Sequence, residues 1–268
     1  MISIIIANWK NAPLLKQSIA SIRESLLKDT EHEIIVIDIE STPETTYSAK
    51  EFDNIIFKPF KENIGYSQAL NEGFKMARGE YIISLNSDVV PKEGSIEKLA
   101  DKLKTNPEIG LIGPQLLNFD NSLQVSRFRF YSPLTVLYRR VFGNKKDQRR
   151  FLMEDIHLSQ STIADWLMGS AYMTTRTALN KVGGHNEKLF AYFSDVDWAK
   201  RFWDNGYEVY FYTDSVMWHY HHRESKGKAG PFDILFIPAA RIHLMDGIKF
   251  FIINGFNIKS QIPWNKKN

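Results

Sequence analysis

The chain has 268 residues, a formal net charge of +3, and contents of 43% hydrophobic and 24% charged residues. This composition is typical of a globular protein with a full core, either one large α/β domain or one domain with an appendage. The small net charge does not indicate nucleic acid, and we expect no such partner. The absence of cysteine excludes disulfides and thiolate metal sites, and it fits a reducing, cytoplasmic compartment.

Neither a signal peptide nor a membrane-spanning helix is expected. The first residues, Met1–Asn8, lack a basic region, and their apolar run is too short for a signal peptide. No stretch of the chain approaches the roughly 18 apolar residues that a spanning helix needs.

Strands and helices alternate up to about residue 114. Ile2–Ala7 is a β-branched run typical of a strand buried on both faces, and Asn11 with Pro13 predicts a helix start. The pattern then repeats. Further strands are predicted at Glu33–Asp38, at Ile55–Phe57, from Tyr81 and at Ile109–Gly113, and further helices between Gly65 and a C-cap at Gly79 and from Gly94 to Lys104. This alternation predicts right-handed βαβ units and a mostly parallel central sheet flanked by helices.

The pattern is looser after residue 114 and returns near Trp166. The later predictions are a strand at Ser170–Thr174, a helix capped by Thr175 that ends at Gly183–Gly184, a helix at Asp195–Asn205 and a strand at Tyr207–Tyr212. An amphipathic helix is predicted over Phe232–Phe251, with Pro238 as a kink or break.

Three of the predicted strands end in residues suited to a nucleotide site, namely Asn8-Trp9, Asp38 and Asn86-Ser87-Asp88. The carboxyl ends of parallel strands lie along one edge of a sheet, so these residues are expected to converge. Trp9 could stack on a nucleobase, and Asp38 could accept a hydrogen bond from a ribose hydroxyl or a base imide. Asp88 could ligate Mg²⁺ or Mn²⁺. Each residue alone is more often a turn former, but the three together favour a ligand site.

A second group of residues, Phe193–Trp198, contains the carboxylates Asp195 and Asp197. A carboxylate at the edge of a cleft could take the proton from an attacking hydroxyl. Ser194 and Asp197 also match a capping box, in which acidic residues stabilise a helix start. Spacing alone does not choose between these interpretations.

The histidines of Trp218–His222 form a third group. In an extended chain His219 and His221 share one face, so a metal ligand is conceivable, whereas a solvated cluster is the alternative for His221 and His222. Asn63-Ile64-Gly65 has too few glycines for a phosphate loop and is interpreted as a turn with one donor contact.

Two segments could contact a membrane. The segment 139–150 carries Arg139, Arg140, Lys145, Lys146, Arg149 and Arg150. It could bind phosphate as a flexible loop, contact an anionic membrane surface or form a solvated loop. Phe250–Ile253 beside Lys249 suits either an interfacial helix or a helix packed on the core.

Taken together, these motifs resemble the family 2 glycosyltransferases, which have the nucleotide-diphospho-sugar transferase (GT-A) fold. The resemblance is greatest to the bacterial rhamnosyltransferase-like branch that builds surface polysaccharides, and it runs from Ile2 to about Ser225. The motifs that carry it are Asn8–Asn11, Glu33–Asp38 with Ser41, Asn63–Tyr66, Asn86–Asp88 at the metal motif, Val182–Gly184 and Asp195–Trp198.

The resemblance implies a domain division and a set of site residues. A GT-A domain would cover residues 1–225, with a nucleotide-sugar half at 1–114 and an acceptor half at 115–225, and a C-terminal helical extension would cover 226–268. The implied donor-binding residues are Ala7, Trp9, Asp38, Asn63, Gly65, Asn86, Ser87 and Asp88. The implied acceptor-side residues are Trp166, Gly169, His185, Asp197 and Trp198. Asp88 and His219 would hold Mg²⁺ or Mn²⁺.

The implied reaction is an inverting transfer in which Asp195 is the general base. The donor would be a dTDP- or UDP-linked rhamnose or another hexose. The acceptor would be a saccharide or a lipid-linked saccharide. The protein would act in the cytoplasm, at the inner face of the membrane if segment 139–150 or the C-terminal helix contacts lipid.

Three departures from the family pattern keep alternatives open. Ser194 stands where the family usually has Glu, Ile39-Glu40 follow Asp38 where Asn is usual, and His185 stands where an aromatic residue is common. A glycan-binding or inactive transferase-like protein is therefore one alternative. A sugar nucleotidyltransferase is another, although Ala7–Asn11 contains no glycine for a phosphate loop.

Overall fold

The computed structural model describes residues 1–130, 145–220 and 236–264, with the backbone alone for residues 145–147. The predicted α/β pattern is confirmed. The strands are β1 Ile2–Asn8, β2 His32–Asp38, β3 Ile55–Pro59, β4 Tyr81–Asn86, β5 Val89–Pro91, β6 Ile109–Leu117, β7 Arg127–Phe128, β8 Thr162–Ile163, β9 Trp166–Leu167, β10 Ala171–Thr175 and β11 Glu208–His219. The helices are α1 Ala12–Ser25, α2 Pro43–Lys50, α3 Tyr66–Met76, α4 Ser95–Thr105, α5 Lys145–Phe151, α6 Arg176–Val182, α7 Ser194–Asp204 and α8 Pro238–Asn254.

The central sheet is mostly parallel. In the described part of the chain its strand order is β3-β2-β1-β4-β10-β6-β11-β5, with β8 paired to β11. β10 is antiparallel between β4 and β6, while β1, β2, β3 and β4 run in parallel. The register sets Asn8 opposite Asp38 and Ala7 opposite Asn86, so the predicted edge of the sheet is formed.

Helices cover both faces of the sheet, which explains the continuous apolar runs of its strands. Every residue of β1 is buried. Ile4 and Ile6 pack with α1 and α4, whereas Ile5 and Ala7 point to the opposite face and pack with α3, α6 and α7. A strand buried on both faces is a rigid support for the side chains at its end.

Two predicted helix boundaries are wrong. α3 ends with Ala77 as its C-cap, not Gly79. Gly79 is required for another reason, because a Cβ there would lie 2.6 Å from the backbone nitrogen of Ser3. The predicted capping box at α7 is absent, since the N-cap is Phe193, at φ 62°, and makes no side-chain cap.

The C-terminal helix α8 packs on the segment that precedes α7. Pro238 occupies its first turn, so this proline starts the helix and does not kink it, and residues 232–235 of the predicted helix lie outside the described residues. Phe250 and Phe251 are buried in the core, as one of the two interpretations proposed. The domain boundary at residue 225 also lies outside the described residues and stays a prediction. No helix within the described ranges is long and apolar enough to cross a bilayer.

Candidate active site

Asp38, the last residue of β2, is buried and bonded within the protein. Its side chain is fully buried, Oδ1 accepts a hydrogen bond from Asn8 Nδ2 over 2.8 Å, and Oδ2 accepts one from the Thr45 hydroxyl. Both carboxylate oxygens are thus bonded within the protein, and contact of Asp38 with a ribose or a base stays a prediction. Asp38 ties the ends of β1 and β2 to the start of α2.

Trp9 lies just past the end of β1 and is 43% exposed. Its indole Nε1 donates to Glu40 Oε2 over 3.0 Å, and Lys10 Nζ lies 2.6 Å from the other oxygen of Glu40. The hydrogen bond from Lys10, followed by that from Trp9, lowers the pKa of Glu40. The indole is thus held by a hydrogen bond at its edge, while much of the side chain stays exposed. Glu40, which looked like a departure from the family pattern, is the residue that orients it.

The turn between β3 and α3 is formed as predicted. Asn63 Oδ1 accepts a hydrogen bond from the backbone nitrogen of Gly65 over 2.9 Å. Gly65 has φ +78°, and a Cβ there would lie 2.7 Å from the ring and the carbonyl oxygen of Phe190. Only glycine fits this close approach, so the turn is locked against the segment that leads to α7. Its contact with a donor stays a prediction.

The motif Asn86-Ser87-Asp88 ends β4 beside β1 and β10. Ser87 donates its backbone N–H to Ala7 over 3.1 Å, and Asn86 donates its own to Ser170 over 2.9 Å. The Asn86 Oδ1 atom is buried and has no hydrogen-bond partner among the described residues. A buried acceptor of this kind is suited to a ligand donor or a cation.

Asp88 and His219 face each other at the end of the sheet, with 3.6 Å between Asp88 Oδ2 and His219 Nε2. β11 extends past its predicted end at Tyr212 and brings His219 to this point, where it is buried. A carboxylate oxygen and an imidazole nitrogen at this spacing fit a divalent ion such as Mn²⁺. Within the described residues, no group of three His, Cys, Asp or Glu side chains could hold a metal ion.

Asp195 is half-buried at the start of α7. Its Oδ2 accepts a hydrogen bond from Gly169 N over 3.1 Å, and its Oδ1 accepts one from Val196 N over 2.9 Å. Burial raises the pKa of Asp195 to about 6, although the two backbone N–H groups lower it and offset part of this effect. A carboxylate with this pKa is mainly ionised at neutral pH yet basic enough to accept a proton.

Gly169 and Ser170 connect Asp195 to the end of β4. Gly169 N donates a hydrogen bond to Asp195 Oδ2, and the carbonyl of Ser170 accepts one from Asn86 N. The hydroxyl of Tyr66 donates to the carbonyl of Gly169 over 2.5 Å, and its pKa is raised first by burial and then by the charges of Asp195 and Asp88. The charges of both carboxylates therefore act on the same tyrosine.

Four of the predicted acceptor-side residues are buried, and their contact with an acceptor stays a prediction. They are Trp166, His185, Asp197 and Trp198, with exposures of 6%, 4%, 1% and 0%. The His185 ring lies 4.4 Å from that of Trp198, and burial lowers the pKa of His185 to about 3. Asp197 pairs with Arg201 and accepts a hydrogen bond from Asn254 of α8. Among the acceptor-side predictions, only Gly169 touches Asp195.

The histidine group and the basic segment lie partly outside the described residues. His221, His222 and residues 139–144 of the basic segment lie outside the described residues. Of the rest of that segment, Arg149 is exposed and pairs with Glu154.

Sequence reasoning gave no role to Tyr66 and Glu40, and none at this site to Gln124. Gln124 approaches His219 across 95 positions of sequence. No local spacing could have assigned these contacts, because each partner belongs to a distant element.

The chain is similar to known protein sequences. Glycosyl transferase family 2 matches residues 3–164, more than half of the chain. Over 246 residues the chain is 27% identical to the N-acetylglucosaminyl-diphospho-decaprenol L-rhamnosyltransferase of Mycobacterium tuberculosis, covering 85% of this chain and 79% of that protein. It is 23% identical over 222 residues to the poly-beta-1,6-N-acetyl-D-glucosamine synthase of Staphylococcus epidermidis, covering 81% of this chain and 49% of that protein.

Two solved structures share the fold. GalNAc-T7 with UDP, GalNAc and Mn²⁺ has a TM-score of 0.64 at 14% identity, covering 85% of this chain and 45% of that one. S. aureus TarS has a TM-score of 0.60 at 14% identity, covering 93% of this chain and 42% of that one. This chain thus spans less than half the length of either structure. From the family match and this fold, the chain belongs to glycosyl transferase family 2 and has the GT-A fold, as the motifs of its sequence suggested.

Proposed function

We propose that this protein is a metal-dependent, inverting glycosyltransferase. It would move rhamnose or another hexose from a dTDP- or UDP-linked donor to a hydroxyl of a growing polysaccharide or glycolipid. The supporting observation is the link between Asp195 and the Asn86–Asp88 motif through Gly169 and Ser170. This link supports a general base beside the proposed site of the leaving group, as an in-line displacement requires.

Asp195 is the proposed general base. As the acceptor oxygen forms its bond to the anomeric carbon, the bond from that carbon to the diphosphate breaks, and the hydroxyl proton passes to Asp195. The backbone hydrogen bonds from Gly169 and Val196 hold the carboxylate in one orientation during this step. Because Asp195 is half-buried, the raised pKa and the remaining access to solvent are compatible with this role.

Asp88 and His219 are the proposed protein ligands on the side of the leaving group. A bound Mg²⁺ or Mn²⁺ would supply positive charge against the departing diphosphate. Trp9, oriented by Glu40, is the proposed stacking surface for the base. Asn63, Gly65, Asn86, Ser87 and Ala7 remain proposed donor contacts, because their segments surround the same edge of the sheet.

A comparison of two aspartates on α7 tests the catalytic assignment. Asp195→Asn removes the base, and transfer should fall by roughly 10² to 10⁴-fold while donor affinity stays nearly constant. Asp197→Asn is the matched control, since Asp197 lies two residues further along the same helix, is buried and pairs with Arg201. Unchanged turnover of Asp195→Asn would remove Asp195 from this role.

Donor and metal are tested together by thermal shift. A panel of nucleotide sugars with and without Mn²⁺ should contain a ligand that raises the melting temperature, because binding to the folded state stabilises it. Asp88→Ala should abolish the part of the shift that depends on Mn²⁺. Absence of binding and hydrolysis across the panel would instead favour a glycan-binding protein.

The proposal includes contact with a membrane that carries a lipid-linked acceptor. The outward side of α8 exposes Leu244, Met245, Ile248 and Ile252, and Phe256 follows the helix. Arg241 and Lys259 are exposed beside these residues, as expected for a surface that meets anionic lipid. The inward side of α8 accepts hydrogen bonds from Ala191 and Tyr192 at Asp246, so the same helix adjoins the segment before Asp195.

Sedimentation with anionic phospholipid vesicles tests this contact at the proposed cytoplasmic face of the membrane. The double variant Ile248→Glu and Ile252→Glu should release the protein from the vesicles. Leu27→Glu is the control, because Leu27 is equally apolar, 50% exposed and placed after α1. A dimer that forms through α8 without any vesicle binding would contradict the membrane assignment.

A further inference from the structure

A directed chain of hydrogen bonds leads from the surface to His219. Asp120 Oδ1 accepts from the Ser122 hydroxyl over 2.5 Å, and the Ser122 oxygen accepts from Asn118 Nδ2 over 2.7 Å. Asn118 Oδ1 then accepts from Gln124 Nε2 over 2.6 Å, and Gln124 Oε1 lies 2.9 Å from His219 Nδ1.

Groups that can only accept hydrogen bonds set the direction of this chain. Gln124 Nε2 also donates to the backbone carbonyl of His219 over 2.8 Å, and a carbonyl cannot donate. The amino group of Gln124 must therefore face this carbonyl, which turns Oε1 toward the imidazole. At the other end, the carboxylate of Asp120 is an obligate acceptor and orients Ser122 and Asn118 in the same sense.

The protonation of the imidazole follows from this direction. Gln124 Oε1 can only accept, so His219 Nδ1 carries the proton. In the neutral ring Nε2 is then the unprotonated nitrogen, and it lies 3.6 Å from Asp88 Oδ2. Two electron-rich atoms at this spacing suit a shared cation, and partners of the second ring nitrogen commonly tune such a ligand.

We propose that Gln124 and Asn118 are positioning residues that hold His219 in its Nδ1-protonated tautomer and thereby present Nε2 to a divalent cation beside Asp88. This inference rests on the proposed metal-dependent function. Gln124 is 7% exposed and His219 is 5% exposed, so water does not readily replace either partner. The chain joins the Asn118–Gln124 loop to the end of β11, which neither segment could specify alone.

The tautomer itself is the primary test, read from the imidazole ¹⁵N shifts of His219 in the metal-free protein. We expect the Nδ1-protonated form in the wild type and a mixture in Gln124→Ala. Mn²⁺ titration followed by electron paramagnetic resonance should give roughly a 10- to 100-fold higher Kd for Gln124→Ala. Asn118→Asp keeps an acceptor toward Gln124 and should retain the wild-type tautomer.

Asn121→Gly is the matched control. Asn121 lies in the same loop and accepts a hydrogen bond from Trp218, and it takes no part in the chain of hydrogen bonds to His219. This variant should keep both the tautomer and the Mn²⁺ affinity. An Nε2-protonated ring in the wild type, or unchanged shifts and Kd in Gln124→Ala, would overturn the positioning role alone. An Nδ1-protonated wild type that binds no Mn²⁺ would overturn the metal role, and with it the metal-dependent function.

Discussion

The backbone nitrogen of Gly169 donates a hydrogen bond to Oδ2 of Asp195 over 3.1 Å. A Cβ at position 169 would lie 3.4 Å from the same oxygen, so glycine keeps this side of the carboxylate open. The Gly169 carbonyl accepts a hydrogen bond from the Tyr66 hydroxyl, and the carbonyl of the adjacent Ser170 accepts one from Asn86 N. The orientation of the proposed base thus depends on the end of β4, where the donor is proposed to bind.

The pH dependence of transfer should reflect Asp195. Its pKa is raised to about 6, and a base must be ionised to accept a proton. Below pH 6 the ionised fraction falls about tenfold per pH unit, so kcat/KM should fall on the acid side and level off above pH 7. Rates measured from pH 4.5 to 8 check this expectation. A profile that stays flat down to pH 5 would contradict it.

Removal of the Trp9 ring should weaken donor binding. Stacking of a base on an aromatic ring contributes about 1–3 kcal/mol, so Trp9→Ala should raise the Kd of the nucleotide roughly ten- to hundredfold. Calorimetric titration measures this change. Trp9→Phe retains an aromatic surface and should recover most of the affinity. Equal Kd values for Trp9→Ala and the wild type would show that the exposed indole does not contact the base.

Gly65→Ala should destabilise the protein more than Gly206→Ala. Both glycines have positive φ angles, +78° and +79°, at which an alanine is strained. At Gly65 the new Cβ would also meet Phe190, at 2.7 Å, whereas at Gly206 no atom of a described residue lies within 4 Å. Overpacking adds about 1–3 kcal/mol at Gly65. Urea unfolding of both variants measures the difference, and equal losses would be inconsistent with a tight turn.

His185 should make the fold sensitive to acid. Burial lowers its pKa from 6.5 to about 3, so between these values the unfolded chain binds more protons than the folded one. Its stabilising effect is complete above pH 6.5 and is lost as the pH falls, by about 2–3 kcal/mol at pH 4.5. The free energy of unfolding of His185→Phe should therefore fall less between pH 7 and pH 4.5 than that of the wild type.

The control for this prediction is the exposed His32, and His32→Gln should behave as the wild type does. Asp195 acts in the opposite sense, because its raised pKa stabilises the folded state as the pH falls. Both variants retain Asp195, so this contribution cancels in the comparison. An identical pH dependence of His185→Phe and the wild type would contradict the buried, neutral state of His185.

Local pattern was sufficient to predict β1 to β4, β6, β10 and the edge of the sheet. The β-branched run of β1 can be buried on both faces only if helices cover both sides. The alternation of strands and helices then implies parallel pairing, and parallel pairing brings Ala7, Asn8 and Asn86 together. The family of the chain could also be inferred at this level, because its motifs occupy strand ends and turns of characteristic composition.

Tertiary contacts decided which polar residues face the site. Asp38 and Asp88 both end strands, yet Asp38 is fully buried between Asn8 and Thr45, whereas Asp88 meets His219. Asp195 and Asp197 share one helical turn, yet the partner of Asp195 is Gly169.

Asp197 instead binds Arg201 and Asn254. The free energy of a polar side chain depends on its burial and on its hydrogen-bond partners. Here those partners come from the turn between β9 and β10 and from α8, which are far apart in the sequence. The sequence by itself therefore determined the scaffold and its family, while the packing of distant elements determined which carboxylates are available for chemistry.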